Sequence, residues 1–339
     1  MISLFLITCS FSNVYSRVLF PIDVYSVFYQ TFVANNLETE SVHGGPVPSL
    51  GVVRLSQHRS SSYTFVNARG VRLVGTSWIN SVSPVGLVYI SHGFSEHMEY
   101  YDKLGTALAE AGLYAFGHDH QGHGRSGGER VNIADYQFFV DDIFQHVDLW
   151  MEELDEQLPV FLFGHSMGGL VVTLACIERQ DMFQGAVLTG PLIRSDMTHG
   201  EGSHFKRLIA KKASKFAPSL QGGDRLSYTE ITSNPPYIQK IKEDPLFWKG
   251  YFKARQTHAT FQALDRLDMQ FEKVVVPLLV LHGSEDTITQ PEGSQLLVTE
   301  ASSTDQEFIE VEGMKHHLIL ELDGMEIISK TVTWIISRL

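Results

Sequence analysis

The sequence predicts an α/β fold with a mostly parallel central sheet and helices on both faces of that sheet. Short, continuously apolar runs recur along the chain, as in VGLVYIS and VPLLVLHG, and such runs are typical of strands buried on both faces. Segments with helical spacing of apolar residues alternate with these runs, as expected for a parallel sheet. With 339 residues, 43% of them hydrophobic, the chain is long enough to bury a large core.

The predicted elements begin near residue 61. Residues 1–60 show no clear period and are interpreted as an N-terminal extension of unknown role, with a linker at 54–62. The domain at 61–339 then starts with two strands joined by a turn at Asn67–Gly70. The further predicted strands are 85–91, 113–119, 160–164, 185–190, 276–283 and 307–313, and the predicted helices are 100–112, 134–157, 168–180, 291–301 and 325–339.

One long segment interrupts this alternation. The strand that ends at Gly190 and the one that starts at Pro277 are separated by about 80 residues, too many for a loop without structure. The segment shows helical patterns but no convincing strand, so we interpret about 191–273 as an inserted helical cap. The cap would lie before the strand that carries the catalytic acid and above the strand ends, where ligands bind in such sheets.

Composition disfavours some classes of function. The formal charge of −13 argues against nucleic-acid binding, which needs a basic surface. The two cysteines, Cys9 and Cys176, give no disulfide framework, which fits a reducing compartment, and we expect a cytoplasmic protein. The alternative is the secretory pathway, if the apolar start within residues 1–20 acts as a signal or anchor. Against it, no Lys or Arg precedes MISLFLITC and no A-x-A site follows it.

Residues 164–168, with the sequence GHSMG, fit the G-x-S-x-G nucleophile elbow. The pentapeptide alone is a weak signal. A predicted strand precedes it and a predicted helix follows it, which is the context that the motif has in the α/β-hydrolase fold. Because glycines permit a sharp turn that exposes the serine oxygen, Ser166 is the candidate nucleophile.

A serine hydroxyl needs a general base that is itself oriented by a carboxylate. On this fold the acid and then the base follow the nucleophile, each just after a strand. Asp286 follows one predicted strand and His316 follows the next. Glu285 and His317 are the alternative acid and base. We predict that Asp286 and His316 act with Ser166.

The tetrahedral intermediate of acyl transfer carries a negative oxygen that needs hydrogen-bond donors. We predict that the backbone N–H groups of Met167 and Phe94 form this oxyanion hole. Met167 follows the nucleophile, and Phe94 lies in the loop HGFSEH after the third predicted strand.

The histidine-rich loop GHDHQGHGRS (117–126) raises the alternative of a metal site. Its histidines lie on a glycine-rich loop rather than on one helix face, and no cysteine or carboxylate set completes a zinc site. We therefore expect neither a metal nor another cofactor.

Several motifs share one resemblance: HGFSEH, GHDHQGHGRSGGER, GHSMGG, LVLHGSEDTIT and VEGMKHHLILEL. From about residue 62 to the C-terminus, the chain resembles the monoglyceride lipase group of α/β-hydrolases. The resemblance implies a lipid substrate, from which one acyl chain is cleaved off glycerol without a cofactor. It also places the nucleophile at Ser166, the acid at Asp286, the base at His316 and the oxyanion donors at Phe94 and Met167.

The chain departs from this group at the oxyanion loop and near the expected head-group site. Ser95 stands where the group usually has a second glycine. Glu96 matches the polar residue near the alcohol end, whereas Tyr100 replaces an arginine and Ile319 replaces a histidine of animal members. We take Glu96, Tyr100 and Ile319 as candidate substrate-binding residues and expect the two replacements to alter head-group preference.

The segment HFKRLIAKKASKF (204–216) in the predicted cap has the pattern of a basic amphipathic helix. Its apolar stripe holds Phe205, Leu208, Ile209, Ala213 and Phe216, and its opposite side holds Arg207, Lys211 and Lys215. The helix either contacts a membrane surface or packs its apolar stripe over the pocket, and a lid could do both.

Three functions remain open at the level of sequence. The first is hydrolysis of monoacylglycerol through an acyl-enzyme intermediate. The second is a lysophospholipase or broader carboxylesterase with the same triad. The third, from another class, is a catalytically silent binding protein on this fold, since a fold by itself does not give a function.

Overall fold

The sheet and its covering helices form close to where the sequence places them. The computed structural model describes residues 51–55, 60–80, 83–154, 157–194, 203–223 and 225–339. The strands are β1 (Gly51–Leu55), β2 (Ser60–Val66), β3 (Arg72–Trp78), β4 (Leu87–Ser91), β5 (Tyr114–Asp119), β6 (Val160–His165), β7 (Gly185–Thr189), β8 (Gln221–Gly222), β9 (Phe252–Lys253), β10 (Leu278–Gly283) and β11 (Gln306–Val311). The helices are α1 (Asp102–Glu110), α2 (Gln137–Leu154), α3 (Met167–Glu178), α4 (Ser203–Phe216), α5 (Tyr228–Ile231), α6 (Pro235–Glu243), α7 (Ala254–Asp268), α8 (Pro291–Glu300) and α9 (Gly324–Ile336).

Within these ranges, nine strands form one sheet in the order β1-β2-β3-β5-β4-β6-β7-β10-β11. The strands from β5 through β4 to β11 run parallel, and β1, β2 and β3 extend the sheet antiparallel. Apolar side chains alternate between two core clusters, so that Leu87 and Tyr89 pack in one cluster and Val88 and Ile90 in the other. The prediction of a mostly parallel sheet buried on both faces is therefore confirmed.

The register of the parallel strands brings their carboxyl ends together. Ser91 at the end of β4 lies beside Gly164, and His165 at the end of β6 lies beside Thr189. The loops that leave β4, β6, β7 and β10 consequently meet at one edge of the sheet, where residues far apart in the chain can form one site.

The inserted segment contains helices α4 to α7 and also one short ladder. In that ladder Gln221 of β8 pairs with Lys253 of β9, and Gly222 pairs with Phe252. The expectation that the segment holds no strand is wrong at this point, because strands of two residues are too short to leave an alternating pattern.

Helix α4 presents its residues differently from the predicted stripe. Arg207 does not share the solvent side with Lys211 and Lys215: its guanidinium pairs with Asp265 at 2.5 Å and lies 4.6 Å from the centre of the Phe261 ring, both on α7. Arg207 packs on the same side as the buried Ala210, so this prediction is wrong. The apolar stripe divides: Phe205 and Phe216 are 68% and 80% exposed, whereas Ile209 and Ala213 line the cavity described below.

The sheet begins before residue 61. Strand β1 pairs antiparallel with β2, with Arg54 opposite Ser62, so the interpretation of 54–62 as a linker is wrong where strands occupy it. The side-chain pattern of the serine-rich run does not reveal this pairing, because the hydrogen bonds between the two strands are made by the main chain. Owing to this added strand, the loop with Phe94 follows the fourth strand of the described residues. Residues 1–50, with Cys9 and the apolar start, lie outside the described residues. Within the described ranges, no helix combines the length and the apolar character needed to cross a bilayer.

Candidate active site

Ser166 occupies the sharp turn between β6 and α3. Its φ of 52° and ψ of −119° are unusual for a residue with a side chain. The turn is possible because its flanking glycines allow close approach: a Cβ at Gly168 would lie 2.1 Å from the Ser91 oxygen, and one at Gly164 would lie 2.7 Å from the Gly168 oxygen. The turn lifts the hydroxyl of Ser166 onto the edge of the sheet, as the motif predicts.

His316 and Asp286 lie in line with this hydroxyl. His316 Nε2 is 2.8 Å from Ser166 Oγ, and His316 Nδ1 is 2.7 Å from Asp286 Oδ2. All three residues are buried. With the proton on Nδ1, the ring donates to Asp286, and Nε2 is free to accept the proton of the serine hydroxyl.

Asp286 is fixed by more than its contact with His316. Its Oδ1 accepts the backbone N–H groups of Ile288 and Thr289 at 2.8 and 3.0 Å, and its Oδ2 accepts the Thr289 hydroxyl at 2.8 Å. His282 Nε2 lies 3.0 Å from the same oxygen. Burial acts to raise the pKa of Asp286, but His316 and His282 together hold it well below its usual range. The carboxyl is therefore ionised and fixed in orientation.

The two alternative triad residues lie elsewhere. Glu285 is exposed, and His317 Nε2 lies 3.0 Å from Glu96 Oε2 instead of facing the serine. The structure thus joins Ser166 to Asp286 and His316, the pair favoured by the sequence.

Phe94 and Met167, the predicted oxyanion-hole residues, line one cavity together with Ser166. Met167 is the first residue of α3, where backbone N–H groups have no partner within the helix and carry the positive end of its dipole. The N-terminal end of helix α3, with its free backbone N–H groups, therefore faces the cavity beside Ser166.

The residues expected near the head group separate into two sets. Glu96 and Tyr100 line the cavity, and the Tyr100 hydroxyl donates to Asp244 Oδ2 at 2.8 Å. Ile319 does not line this cavity; it is buried in the core in the single turn Leu318–Leu320. The expectation for Ile319 as a binding residue is not met, because the chain turns its side chain into the core directly after the catalytic loop.

Ser95 adopts a φ of 75°, in the left-handed region that favours glycine. Its carbonyl oxygen accepts the N–H of Trp248 from the cap at 2.9 Å. The serine in place of glycine is thus accommodated in the glycine conformation, and this loop is tied to the cap.

The histidines of the loop 117–126 are buried among aromatic and hydroxyl groups. His118 Nδ1 lies 3.1 Å from the Tyr89 hydroxyl and 3.0 Å from His146 Nδ1, and His120 Nε2 lies 3.0 Å from Ser91 Oγ. Burial lowers the pKa of His118, His120 and His123 well below its usual range. These contacts are those of core histidines that bond to neighbouring side chains.

The cavity above Ser166 has a volume of about 640 Å³, within the range of about 300–1,000 Å³ that is usual for small-molecule sites. Its floor is formed by the strand ends and its roof by the cap. Most of the wall is apolar, with side chains that include Leu192, Ile209, Ile241, Phe247 and Phe252. The site can therefore hold a long apolar group next to the serine.

Sequence reasoning missed the residues that support the triad. His282 and Thr289 hold Asp286, and His317 holds Glu96. One signal was present: His282 is a polar residue inside the apolar run VPLLVLHG, and a buried polar side chain requires a partner. Its partners Asp286, Thr289 and Ser294 all follow within twelve residues, and they are set by the conformation of the loop after β10, which the run itself does not give.

The chain is similar to several known proteins. A family model described as serine aminopeptidase, S33, matches residues 82–323. Monoglyceride lipase of Rattus norvegicus is 34% identical over 276 residues, which cover 81% of this chain and 90% of that protein. Monoglyceride lipase of Homo sapiens is 35% identical over 257 residues, covering 76% of this chain and 84% of that protein.

A solved structure shares the architecture. The crystal structure of Paleococcus ferrophilus monoacylglycerol lipase matches with a TM-score of 0.69 at 29% identity, covering 79% of this chain and 99% of that chain. The family model spans residues 82–323, which include the sheet from β4 onward, the cap and every candidate site residue.

Proposed function

The chain belongs to the monoglyceride lipase family of serine α/β-hydrolases, and from this premise we propose that it cleaves monoacylglycerols to a fatty acid and glycerol. The fold class and the serine ester hydrolase activity predicted from the sequence are confirmed by the same matches. The observation that carries the substrate proposal is the hydrogen-bonded chain Asp286–His316–Ser166 at the floor of a largely apolar cavity.

In the proposed reaction, Ser166 Oγ attacks the ester carbonyl while His316 Nε2 takes the hydroxyl proton. The N–H groups of Phe94 and Met167 stabilise the negative oxygen of the tetrahedral intermediate. The C–O bond to glycerol then breaks, and His316 gives its proton to the leaving alcohol. His316 next takes a proton from water, whose oxygen attacks the acyl carbon. The bond between that carbon and Ser166 Oγ then breaks as His316 returns the proton to Oγ, which releases the fatty acid and restores Ser166. Asp286 orients His316 and stabilises its charged form throughout.

The apolar wall supports a long acyl chain as the group retained on the serine. A long chain that leaves water for this cavity gains free energy along its whole length, about 0.8 kcal/mol per buried CH₂ group. A short, water-soluble ester would gain little from most of this wall. The lining therefore favours a lipid over a small ester.

The membrane surface is the proposed source of this lipid. On α4, the described residues Phe205, Leu208 and Phe216 are exposed, and Lys211 and Lys215 are exposed beside them. Apolar side chains with flanking lysines are typical of helices that lie in a lipid interface. Since Ile209 of the same helix lines the cavity, lipid bound at α4 would enter the site directly.

A cytoplasmic location at the membrane surface is proposed with this role. It is supported by the chain's having only two cysteines, of which Cys176 is buried and free. Imaging of the full chain with a C-terminal fluorescent tag tests the location. A signal confined to the secretory pathway would contradict it and would favour a signal or anchor role for residues 1–20.

The substrate proposal is tested by comparing the wild type with Ser166→Ala on three substrates. These are a long-chain monoacylglycerol, the matching lysophosphatidylcholine and a short water-soluble ester. We expect the greatest serine-dependent release of fatty acid from the monoacylglycerol. Preference for the lysophospholipid would favour the second function. No serine-dependent release from any of the three would leave the binding-protein hypothesis.

The membrane proposal is tested by Lys211→Glu combined with Lys215→Glu. Because each lysine near an anionic surface contributes about 1 kcal/mol, binding to vesicles containing phosphatidylserine should weaken by at least about 30-fold. Lys273→Glu combined with Lys330→Glu is the matched control, since it changes net charge equally outside α4. Equal binding by both double variants in a vesicle flotation assay would contradict the proposal.

A further inference from the structure

Glu96 is a buried carboxylate in the loop after β4, with only 4% of its surface exposed. Both of its oxygens have partners. Oε1 accepts the backbone N–H of Gly93 at 2.5 Å and the hydroxyl of Tyr101 at 2.5 Å. Oε2 lies 3.0 Å from His317 Nε2. Because an amide N–H can only donate, the carboxylate form of Glu96 satisfies all three neighbours at once.

His317 reaches this carboxylate from the far side of the site. It directly follows the catalytic His316, and its backbone N–H donates to the Ile231 oxygen of the cap at 2.8 Å. Its ring centre lies 3.9 Å from that of His165, the residue before the nucleophile. A shift of His317 would therefore displace its neighbours in three parts of the site: the catalytic loop, the cap and the turn that carries the nucleophile.

We propose that Glu96 and His317 form a buried hydrogen-bonded pair that positions the oxyanion loop. In this arrangement Glu96 accepts the N–H of Gly93 and so fixes the His92–Gly93 peptide, which directly precedes the peptide that carries the N–H of Phe94, while His317 Nε2–H donates to the other oxygen of Glu96. Both are positioning residues, because they act on the reaction through the backbone of Phe94. The inference rests on the proposed function, in which the N–H of Phe94 stabilises the oxyanion.

The packing around Gly93 leaves the loop little freedom. A Cβ at Gly93 would lie 2.8 Å from Glu96 Oε1 and 3.2 Å from the Cβ of Ser166. The carboxylate thus packs directly beneath the loop, next to the nucleophile. An oxyanion donor is effective only when it is held in place before the reaction, and a displacement of about 1 Å can cost a factor of about 100 in rate.

The charge of Glu96 agrees with this geometry. Burial acts to raise the pKa of Glu96, but the charge and the hydrogen bond of His317, with contributions from His165 and His92, hold it below its usual range. Glu96 is therefore ionised across the neutral range. A protonated Glu96 would lose an acceptor position that Gly93, Tyr101 or His317 now uses.

This role differs from the one expected for Glu96 from its position near the alcohol end. A head-group residue acts on glycerol esters, mainly through KM. A positioning residue of the oxyanion loop acts on every ester, mainly through kcat. The two roles are therefore separated by an ester that has no glycerol.

The alternative role for the cluster around Glu96 is to bind a metal ion. Donor atoms of Glu96, His165 and His317 lie within 4.8 Å of one another. In the structure, however, Glu96 Oε1 already accepts two hydrogen bonds and Oε2 accepts a third from His317. Loss of activity on dialysis against EDTA, restored by Zn²⁺, would overturn the hydrogen-bonded role.

The experiment compares Glu96→Gln, His317→Phe and His317→Gln on p-nitrophenyl butyrate and on a monoacylglycerol. The amide of Glu96→Gln presents an NH₂ group where an acceptor is needed, and the phenyl ring of His317→Phe donates nothing. For both variants we expect kcat to fall by about 10- to 100-fold on both esters, with KM changed less than about threefold. His317→Gln should recover most of this loss, because its amide N–H can donate to Glu96.

A second measurement tests the oxyanion directly. An alkyl trifluoromethyl ketone adds to Ser166 and forms a negative oxygen in the oxyanion hole. Its affinity should weaken by about the same factor as kcat in Glu96→Gln and His317→Phe, since both report transition-state binding. The double variant should lose no more than the worse single variant, because the two residues act as a unit.

His146→Gln is the matched control, since it replaces another buried histidine outside the site. It should lower stability without changing ketone affinity. If His317→Phe behaves like this control, or raises KM for the monoacylglycerol alone, the proposal is overturned. If wild type cleaves p-nitrophenyl butyrate through Ser166 but not monoacylglycerol, the proposed substrate fails, while the effect on the butyrate ester still tests this inference.

Discussion

Among the described residues, two groups of buried histidines differ in their partners. In the first group, His316 and His282 contact Asp286, and His317 contacts Glu96. In the second group, the partners are hydroxyls, the backbone and other histidines. The second group consists of His118, His120, His123 and His146.

The two groups are equally buried, yet their electrostatics are opposite. In the first group the neighbouring histidines hold the pKa of Asp286 and that of Glu96 below their usual range, so these carboxylates stay ionised beside the rings. In the second group burial lowers the histidine pKa, to about 3 for His146, so these rings stay neutral. Burial alone therefore does not predict the role of a histidine. The partner decides whether the ring can hold a proton during a reaction.

The strongest test of the comparison removes the carboxylate from the first group. Asp286→Asn keeps the shape of the side chain but leaves His316 Nδ1–H without a charged acceptor, so the ring takes the wrong tautomer. We expect kcat to fall by about 10⁴-fold with little change in KM, measured with a monoacylglycerol and with p-nitrophenyl butyrate.

Asp142→Asn is the matched control for this prediction. Asp142 is also a buried carboxylate, but its partners are Asn67 and Arg69 near the second group. It should change stability and leave kcat within about twofold, since it contacts no residue of the site. An equal loss of kcat in both variants would show that the comparison between the two groups does not hold.

The same comparison explains how much the sequence could predict. Ser166, Asp286 and His316 were found because a motif and an order of strand ends identify them. Glu96 is assigned to the head group by the family resemblance. Its contacts in the structure include Tyr101 and also His317, which lies more than two hundred residues further along the chain. Contacts of this kind depend on how loops from different strands meet, and no local pattern records them.

The secondary-structure elements likewise divide into those that the sequence predicts and those that it does not. Buried strands such as β4 and β10 were predicted close to their observed bounds, because burial on both faces imposes a continuous apolar run. Strands β1, β8 and β9 were missed, because they are short and their pairing is made by the main chain. Helix α4 was found from its period, but the side on which Arg207 packs depends on α7 and could not be read from α4 alone.

The next prediction concerns the second group of histidines, whose rings stay neutral, and its expected effect on the free energy of unfolding is small. The unfolded chain protonates His146 below its ordinary pKa of about 6.5, whereas the folded chain does so only near a pKa of about 3. The unfolded state therefore binds more protons between these values, and this histidine's contribution to stability is full above about pH 6.5 and declines as pH falls toward 3. One such group changes the free energy of unfolding by about 1.4 kcal/mol per pH unit in this window.

His146→Leu tests this sign. It removes the hydrogen bond between His146 and the Tyr63 hydroxyl, so we expect a loss of about 1–3 kcal/mol at pH 7.5. As the pH falls from about 5.5 to about 4.5, the free energy of unfolding of this variant should decrease less steeply than that of the wild type. The difference in slope should correspond to the binding of about one proton. Urea unfolding followed by circular dichroism at several pH values measures both quantities. Parallel pH profiles for the two proteins would mean that His146 is protonated in the folded state, and the contrast with the carboxylate-paired histidines would then fail at the residue where it is sharpest.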